Sequence, residues 1–68
     1  MINTAELNQA MQQSGLKKSA VAGRLQLTTQ TLTRKLNGES EFNLSEAQEL
    51  SEMLGLSASQ RQRIFFGN

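Results

Sequence analysis

Apolar residues recur along the chain at the three- and four-residue intervals that place them on one face of a helix. No segment alternates apolar and polar residues in the way that predicts a strand. The pattern predicts five helices, over residues 4–14, 18–25, 29–37, 44–54 and 58–66. We therefore expect an all-α fold.

Capping residues mark the boundaries of these helices. Three predicted starts hold a capping residue followed three positions later by Glu or Gln, which is the pattern of a capping box. The pairs are Asn3 with Glu6, Asn43 with Glu46, and Ser57 with Gln60. The third helix has Thr28 as its expected N-cap. Glycine, which favours helix ends, follows the apolar segments at Gly15, Gly38 and Gly55.

The inner faces of the five helices supply one small core. The first helix is expected to face inward through Ala5, Leu7, Ala10 and Met11. The fourth is expected to do so through Leu44, Ala47, Leu50 or Ser51, and Leu54. The remaining core candidates are Leu16, Val21, Leu25, Leu27, Leu32, Leu36, Phe42 and Leu56. These sets predict that residues 1–68 form a single domain.

The chain lacks the residue types that most catalytic and metal sites use. It contains no Cys, His or Asp, which excludes His/Cys metal sites, a Ser-His-Asp triad and an aspartate pair. We expect no enzyme, metal, cofactor or small-molecule ligand. The longest strongly apolar run, Ile64-Phe65-Phe66, is too short to cross a membrane, and the absence of Cys fits a reducing compartment. These points predict a cytoplasmic protein.

Charge is distributed unevenly along the chain. The net charge of +1 alone does not indicate a nucleic-acid partner. Residues 1–38 hold five Lys and Arg but one Glu, residues 39–60 hold five Glu and no cation, and residues 61–68 hold two Arg. Such an asymmetry orients one end of a domain toward a polyanion. A solvated acidic face on the fourth helix is the plainer explanation of the acidic part.

Residues 18–38 predict two short helices joined by a tight turn, and the second of them has an unusual outer face. Four of the five threonines lie between residues 28 and 33, although Thr is a mediocre helix former. Ala22 allows the two helices to cross closely, and Leu32 anchors the second from its inner side. The outer face then carries Thr29, Gln30, Thr33 and Arg34. In the DNA major groove Gln pairs with adenine, Arg pairs with guanine and a Thr methyl packs on thymine; an ordinary solvated helix face is the alternative.

Several features of this region are shared with one family. They are Ala22 with the apolar positions around it, the Asn37-Gly38 ending of the third helix, and the run LNGESEF-LSEA. On these features residues 16–56 resemble the lambda-repressor/Cro-like helix-turn-helix family, in particular its short phage and prophage regulators. The resemblance implies a compact four- or five-helix domain that binds double-stranded operator DNA, commonly as a homodimer on palindromic sites. It implies a transcriptional regulator, a repressor or a Cro-like protein, in the cytoplasm of a bacterial host.

The resemblance also implies roles for individual residues. Its base-reading positions correspond to Thr29, Gln30 and, one turn further on, Arg34. Its positions at the DNA backbone correspond to Lys18, Thr28 and Asn37, and Lys17 or Lys18 adds positive charge there. The N–H groups at the starts of the second and third helices suit phosphate.

Three residues depart from the family's pattern. Gln26 stands where the turn usually has Gly, so the turn is made either without a left-handed glycine or by a residue that tolerates the strain. Gly23 lies inside the second helix, where it costs about 1 kcal/mol relative to Ala. Lys35 occupies a position that is often apolar, so Leu36 is expected to take over its packing.

The C-terminal helix ends in three large apolar residues, Ile64, Phe65 and Phe66. Consecutive helical positions point about 100° apart, so at least one of the three is expected to be exposed. An exposed aromatic residue beside Ile indicates a homodimer interface on these residues. The alternative is that this end folds back on the first helix.

Two functions are consistent with the sequence. The leading one is a sequence-specific transcriptional regulator without catalysis, which reads operator DNA in the major groove with the third helix. The alternative is a small helical protein-interaction module, such as an antirepressor or an adaptor, that uses the acidic fourth helix or residues 64–66. Substitutions on the outer face of the third helix change the relevant binding only in the first case.

Overall fold

The computed structural model describes residues 2–67, and in this range the backbone forms five α-helices and no strand. The helices are α1 (Thr4–Ser14), α2 (Lys18–Arg24), α3 (Thr29–Leu36), α4 (Leu44–Leu54) and α5 (Ala58–Phe65). The all-α, five-helix prediction is confirmed. The bounds of α1 and α4 agree with the prediction, and α2, α3 and α5 each end one residue earlier than predicted.

Side-chain caps begin four of the five helices. Asn43 and Ser57 form complete capping boxes, in which the side chains of Glu46 and Gln60 bind the N-cap amides in return. Asn3 forms half of one, because its Oδ1 accepts from the Glu6 amide at 3.1 Å while its own amide donates to the carbonyl of Ile64 at 2.7 Å. The start of α2 has no side-chain cap.

The core lies where the five helices meet. Each helix contributes at least one side chain that solvent scarcely reaches, and the largest of these are Leu7, Val21, Leu32, Leu36, Leu50 and Ile64. Burial of an aliphatic side chain of this size contributes about 1.5–3 kcal/mol. Two of the six, Leu32 and Leu36, belong to α3, so the inner face of this short helix is fixed by the core at both ends.

Three expected core residues are exposed. Leu44 is 71% exposed and Leu16 is 41% exposed, and Ala5 is also exposed. Leu44 is the first residue of α4, and Leu16 lies in the connection between α1 and α2. The helical period fixes the direction of a side chain around the axis, but it does not ensure that another element covers that height of the helix. The fourth helix buries both Leu50 and Ser51, and the Ser51 hydroxyl donates to the carbonyl of Ala47 at 2.7 Å.

An ion pair joins α1 to α5. Arg63 donates from Nη2 to Glu6 Oε2 at 2.6 Å and from Nε to Glu6 Oε1 at 3.1 Å. The hydrogen bonds from the Arg63 guanidinium hold the pKa of the Glu6 carboxyl below its ordinary value of 4.5. Because the amide of Asn3 bonds to Ile64 beside this pair, the first helix is tied to the last by backbone and side chain together.

Candidate nucleic-acid interface

The connection between α2 and α3 is a tight turn built around Gln26. Its φ of +60° lies in the left-handed region, which costs a non-glycine residue about 1–2 kcal/mol. The turn is closed by the Leu27 amide, which donates to the carbonyl of Ala22 at 2.8 Å. Ala22 is 2% exposed. The turn therefore uses Gln26, in a strained conformation, where the family usually has glycine. Ala22, the small residue expected where the two helices cross, is buried.

The exposed face of α3 carries most of the predicted base-reading residues. Thr29, Gln30 and Arg34 are exposed, and Thr33 is half-buried. Gln30 and Arg34 are four positions apart, so they are neighbours on one side of the helix. Because the opposite side is fixed in the core, α3 presents a short polar surface with one cation.

The hydroxyl of Thr28 is occupied by the first turn of α3. It accepts from the Thr31 amide at 3.1 Å, and its proton is directed to the Thr31 hydroxyl at 2.9 Å. This confirms Thr28 as the N-cap. The amides of Thr29 and Gln30 have no hydrogen-bond partner within residues 2–67, so they are the donors that this helix end offers to an anion.

The cations of this region divide into free and paired side chains. Lys17, Lys18 and Arg34 are exposed and form no ion pair within residues 2–67. Lys17 and Lys18 lie at the start of α2, whereas Arg34 lies in the last turn of α3. Arg24 is 3.9 Å from Glu49; the Arg24 side chain is largely exposed and the Glu49 side chain is partly exposed, so their attraction is weak. Asn37 is exposed at the C-terminal end of α3.

Lys35 is part of the structure that supports α3. Its Nζ donates to the carbonyl of Glu41 at 2.7 Å and lies 3.2 Å from Glu46 Oε1. The same ammonium group is 5.8 Å from the centre of the Phe42 ring. Only 12% of the side chain is exposed. Leu36 is fully buried, as expected, while Lys35 ties α3 to the following connection and to α4.

The three large residues at the end of α5 point in three directions. Ile64 is in the core. The ring of Phe65 meets the ring of Phe42 edge to face, with centroids 5.7 Å apart. Phe66 is 48% exposed, which confirms that at least one of the three residues faces solvent. Phe66 lines a shallow groove with Leu44, a residue that sequence reasoning had assigned to the core, and with Ala47, Ala58 and Arg61.

Two observations on residues 2–67 concern metal ions and membranes. No group of three or more acidic residues there is arranged to hold a metal ion. Among the helices of this range, none is both long enough and apolar enough to span a bilayer.

The arrangement of α2, the turn and α3 defines the class: it is a helix-turn-helix, the unit that places its second helix in the DNA major groove. A family model described as a helix-turn-helix domain matches residues 4–64. The chain belongs to this helix-turn-helix family, which is a family of DNA-binding, non-enzymatic domains. No curated protein and no solved structure matches the chain.

Proposed function

We propose that this chain is a sequence-specific transcriptional regulator of the phage repressor or Cro-like kind, acting without catalysis in the bacterial cytoplasm. The exposed face of α3 carries the proposal. Thr29, Gln30 and Arg34 form a hydrogen-bonding surface on a helix whose other side is fixed by Leu32 and Leu36. In the major groove of operator DNA, Gln30 would pair with adenine and Arg34 with guanine.

The DNA backbone would be bound by the residues around this surface. Lys17 and Lys18 supply positive charge at the start of α2 that no acidic side chain of residues 2–67 pairs with, and Asn37 supplies an amide at the far end of α3. Thr28 would take part through its position at the N-cap, where the amides of Thr29 and Gln30 have no hydrogen-bond acceptor in the described part of the chain. Each phosphate that a cation neutralises lowers the logarithm of the binding constant by about 0.9 for each tenfold increase in salt concentration. Two lysines in each protomer of a dimer therefore give a slope of roughly −4 in a plot of the logarithm of the binding constant against the logarithm of salt concentration, and a monomer gives roughly −2.

We also propose a homodimer that uses the end of α5. Ile64 lies in the core and Phe65 packs against Phe42, so Phe66 is the residue of the three that a partner can reach. Leu44 enlarges the exposed apolar surface across the groove. Phe66→Ala should shift the monomer–dimer equilibrium toward monomer in analytical ultracentrifugation. The control is Gln12→Ala, at an exposed position of α1. A Phe66→Ala variant that stays as dimeric as the parent contradicts a central role for Phe66.

The decisive experiment is selection of the purified protein against a random duplex pool at low and at near-physiological salt. The proposal expects a two-fold symmetric motif, whose half-site spacing reports the geometry of the dimer. The double variant Thr29→Ala/Gln30→Ala should lose the motif. The matched control, Gln9→Ala/Gln12→Ala on the exposed side of α1, should retain it. Enrichment that is unchanged in the α3 variant overturns the base-reading role.

The groove beside Phe66 also favours a second function, a small protein-interaction module such as an antirepressor or an adaptor. Leu44 and Phe66 are the observation in its favour, because large apolar side chains exposed together commonly mark a protein contact. Failure to bind DNA at either salt concentration, together with capture of a protein partner that Phe66→Ala abolishes, would favour this function over the first.

A further inference from the structure

The C-terminal end of α3 is held by a side chain from another helix. The last four carbonyls of a helix have no partner within it. Three of those in α3 accept from amides of the residues that follow. The Asn37 amide donates to the carbonyl of Thr33 at 3.1 Å, the Gly38 amide to that of Lys35 at 3.1 Å, and the Glu39 amide to that of Arg34 at 2.9 Å. The fourth carbonyl, that of Leu36, accepts from Nδ2 of Asn8 in α1 at 3.0 Å.

Both N–H groups of the Asn8 amide are used in this joint. The second donates to the carbonyl of Thr4 at 2.9 Å. Because both partners are carbonyl oxygens, only the nitrogen of the amide can face them. Asn8 therefore bridges the first turn of α1 and the last residue of α3, and it is half-buried between them.

Gly38 packs closely against the Thr4 side chain at the same joint. A Cβ atom on Gly38, just beyond α3, would lie 3.1 Å from Cγ2 of Thr4. Leu7 and Leu36 are fully buried in the core beside Asn8. The apolar contacts hold α3 down on the core, whereas a directional hydrogen bond also fixes its position along and around its own axis.

We propose that Asn8 is a positioning residue for the base-reading surface: its bond to Leu36 sets where the exposed face of α3 lies relative to the rest of the domain. The inference rests on the proposed function for its consequence in DNA recognition, but not for its structural part. Base-edge hydrogen bonds tolerate little displacement, so loss of the bond should reduce discrimination between DNA sequences more than it reduces electrostatic binding to any duplex.

The test compares Asn8→Asp and Asn8→Ala with the parent protein. Asp has the shape of Asn, but its carboxylate places oxygen acceptors opposite the carbonyls of Thr4 and Leu36. Ala removes the two donors and has a higher helix propensity. Ser14→Ala is the matched control, because the Ser14 hydroxyl donates to the carbonyl of Met11 at 2.7 Å, accepts from the Leu16 amide at 3.1 Å, and forms no hydrogen bond to α3 within residues 2–67. All variants are measured at temperatures where they are fully folded.

The first readout is amide hydrogen exchange of the free protein. In both Asn8 variants the amides of residues 33–37 should exchange about tenfold faster relative to the amides of α4, which report global opening. Ser14→Ala should leave that ratio unchanged. An unchanged ratio in the Asn8 variants overturns the proposal, whatever the protein binds.

The second readout is the ratio of affinities for the selected duplex and for a scrambled one. The Asn8 variants should lose about tenfold in this ratio with nearly unchanged affinity for the scrambled duplex. An equal loss on both duplexes, or a loss equal to that of Ser14→Ala, overturns the positioning role. If Thr29→Ala/Gln30→Ala alters no DNA affinity, the proposed function has failed, and the exchange ratio decides the role of Asn8 by itself.

Discussion

Substitution of alanine for three glycines separates three physical effects within this domain. Gly23 lies inside α2, and a Cβ built there meets no atom of residues 2–67 within 4 Å. Alanine at this site gains helix propensity without a clash, so Gly23→Ala should stabilise the protein by about 0.5–1 kcal/mol. For a domain of this size that corresponds to a rise in Tm of about 2–8 °C.

The same substitution at the other two sites should have the opposite sign. Gly15 has a φ of +73° and open space around it, so alanine there suffers only the left-handed strain, about 1 kcal/mol. Gly38 has a φ of +82° and would also bring its Cβ to 3.1 Å from Thr4 Cγ2. Gly38→Ala should therefore be the most destabilising of the three, because either the methyl group of Thr4 or the end of α3 must move.

The assay is thermal and urea unfolding followed by circular dichroism at 222 nm, with the urea m-value as the check that the unfolding transition itself is unchanged. The expected order of stability is Gly23→Ala, parent, Gly15→Ala, Gly38→Ala. A Gly23→Ala variant no more stable than the parent would show that α2 is not helical at that residue. A Gly38→Ala variant as stable as Gly15→Ala would refute the close approach of Thr4.

Two further predictions concern ion pairs. Lys35→Met keeps the length of the side chain but leaves the carbonyl of Glu41 without its donor and Glu46 without its cation, so the free energy of unfolding in urea should fall by about 1–2 kcal/mol. The control is Lys17→Met, because Lys17 is exposed and pairs with no acidic side chain within residues 2–67; its free energy of unfolding should stay within about 0.5 kcal/mol of the parent's. The hydrogen bonds from Arg63 hold the pKa of Glu6 below 4.5 in the folded protein, so the stabilisation from this ion pair is complete above the ordinary pKa and is lost as the pH falls through the lowered value. Glu6→Gln removes this titration, so its Tm should fall less steeply than the parent's between about pH 5 and pH 3. Curves of Tm against pH that coincide for the two proteins would mean that the pair contributes nothing to stability.

The helices and the buried face of α3 follow from local rules of the sequence. Caps at Asn43 and Ser57 and glycine at Gly15 and Gly55 fix helix ends through bonds between residues close in the chain, so a reader of the sequence can find them. The inner position of Leu32 follows in the same way from the helical period. This explains why the predicted bounds differ from the observed ones by no more than one residue.

Contacts between distant residues do not follow from such rules. Glu6 and Arg63 are 57 positions apart, and Asn8 and Leu36 are 28 positions apart. Each pair is defined only once the helices have packed, and a polar residue on α1 carries no sign that its partner is a carbonyl on α3. The exposure of Leu44 was missed for a related reason, because the period of a helix does not reveal where the neighbouring helix stops. The base-reading roles of Thr29, Gln30, Thr33 and Arg34 stay a prediction.

The departures from good local structure concentrate in one part of the chain. Gly23 weakens α2, Gln26 adopts a left-handed conformation, and threonines occupy much of α3. Each choice is less stable than a simple replacement would be. Sequences agree with their folds at most positions and deviate where function requires it, so this cluster supports the proposal that the turn and α3 are the functional surface. A more stable Gly23→Ala protein that has lost affinity for its selected DNA would show that the glycine serves binding, whereas unchanged affinity would confine the functional constraint to the turn and α3.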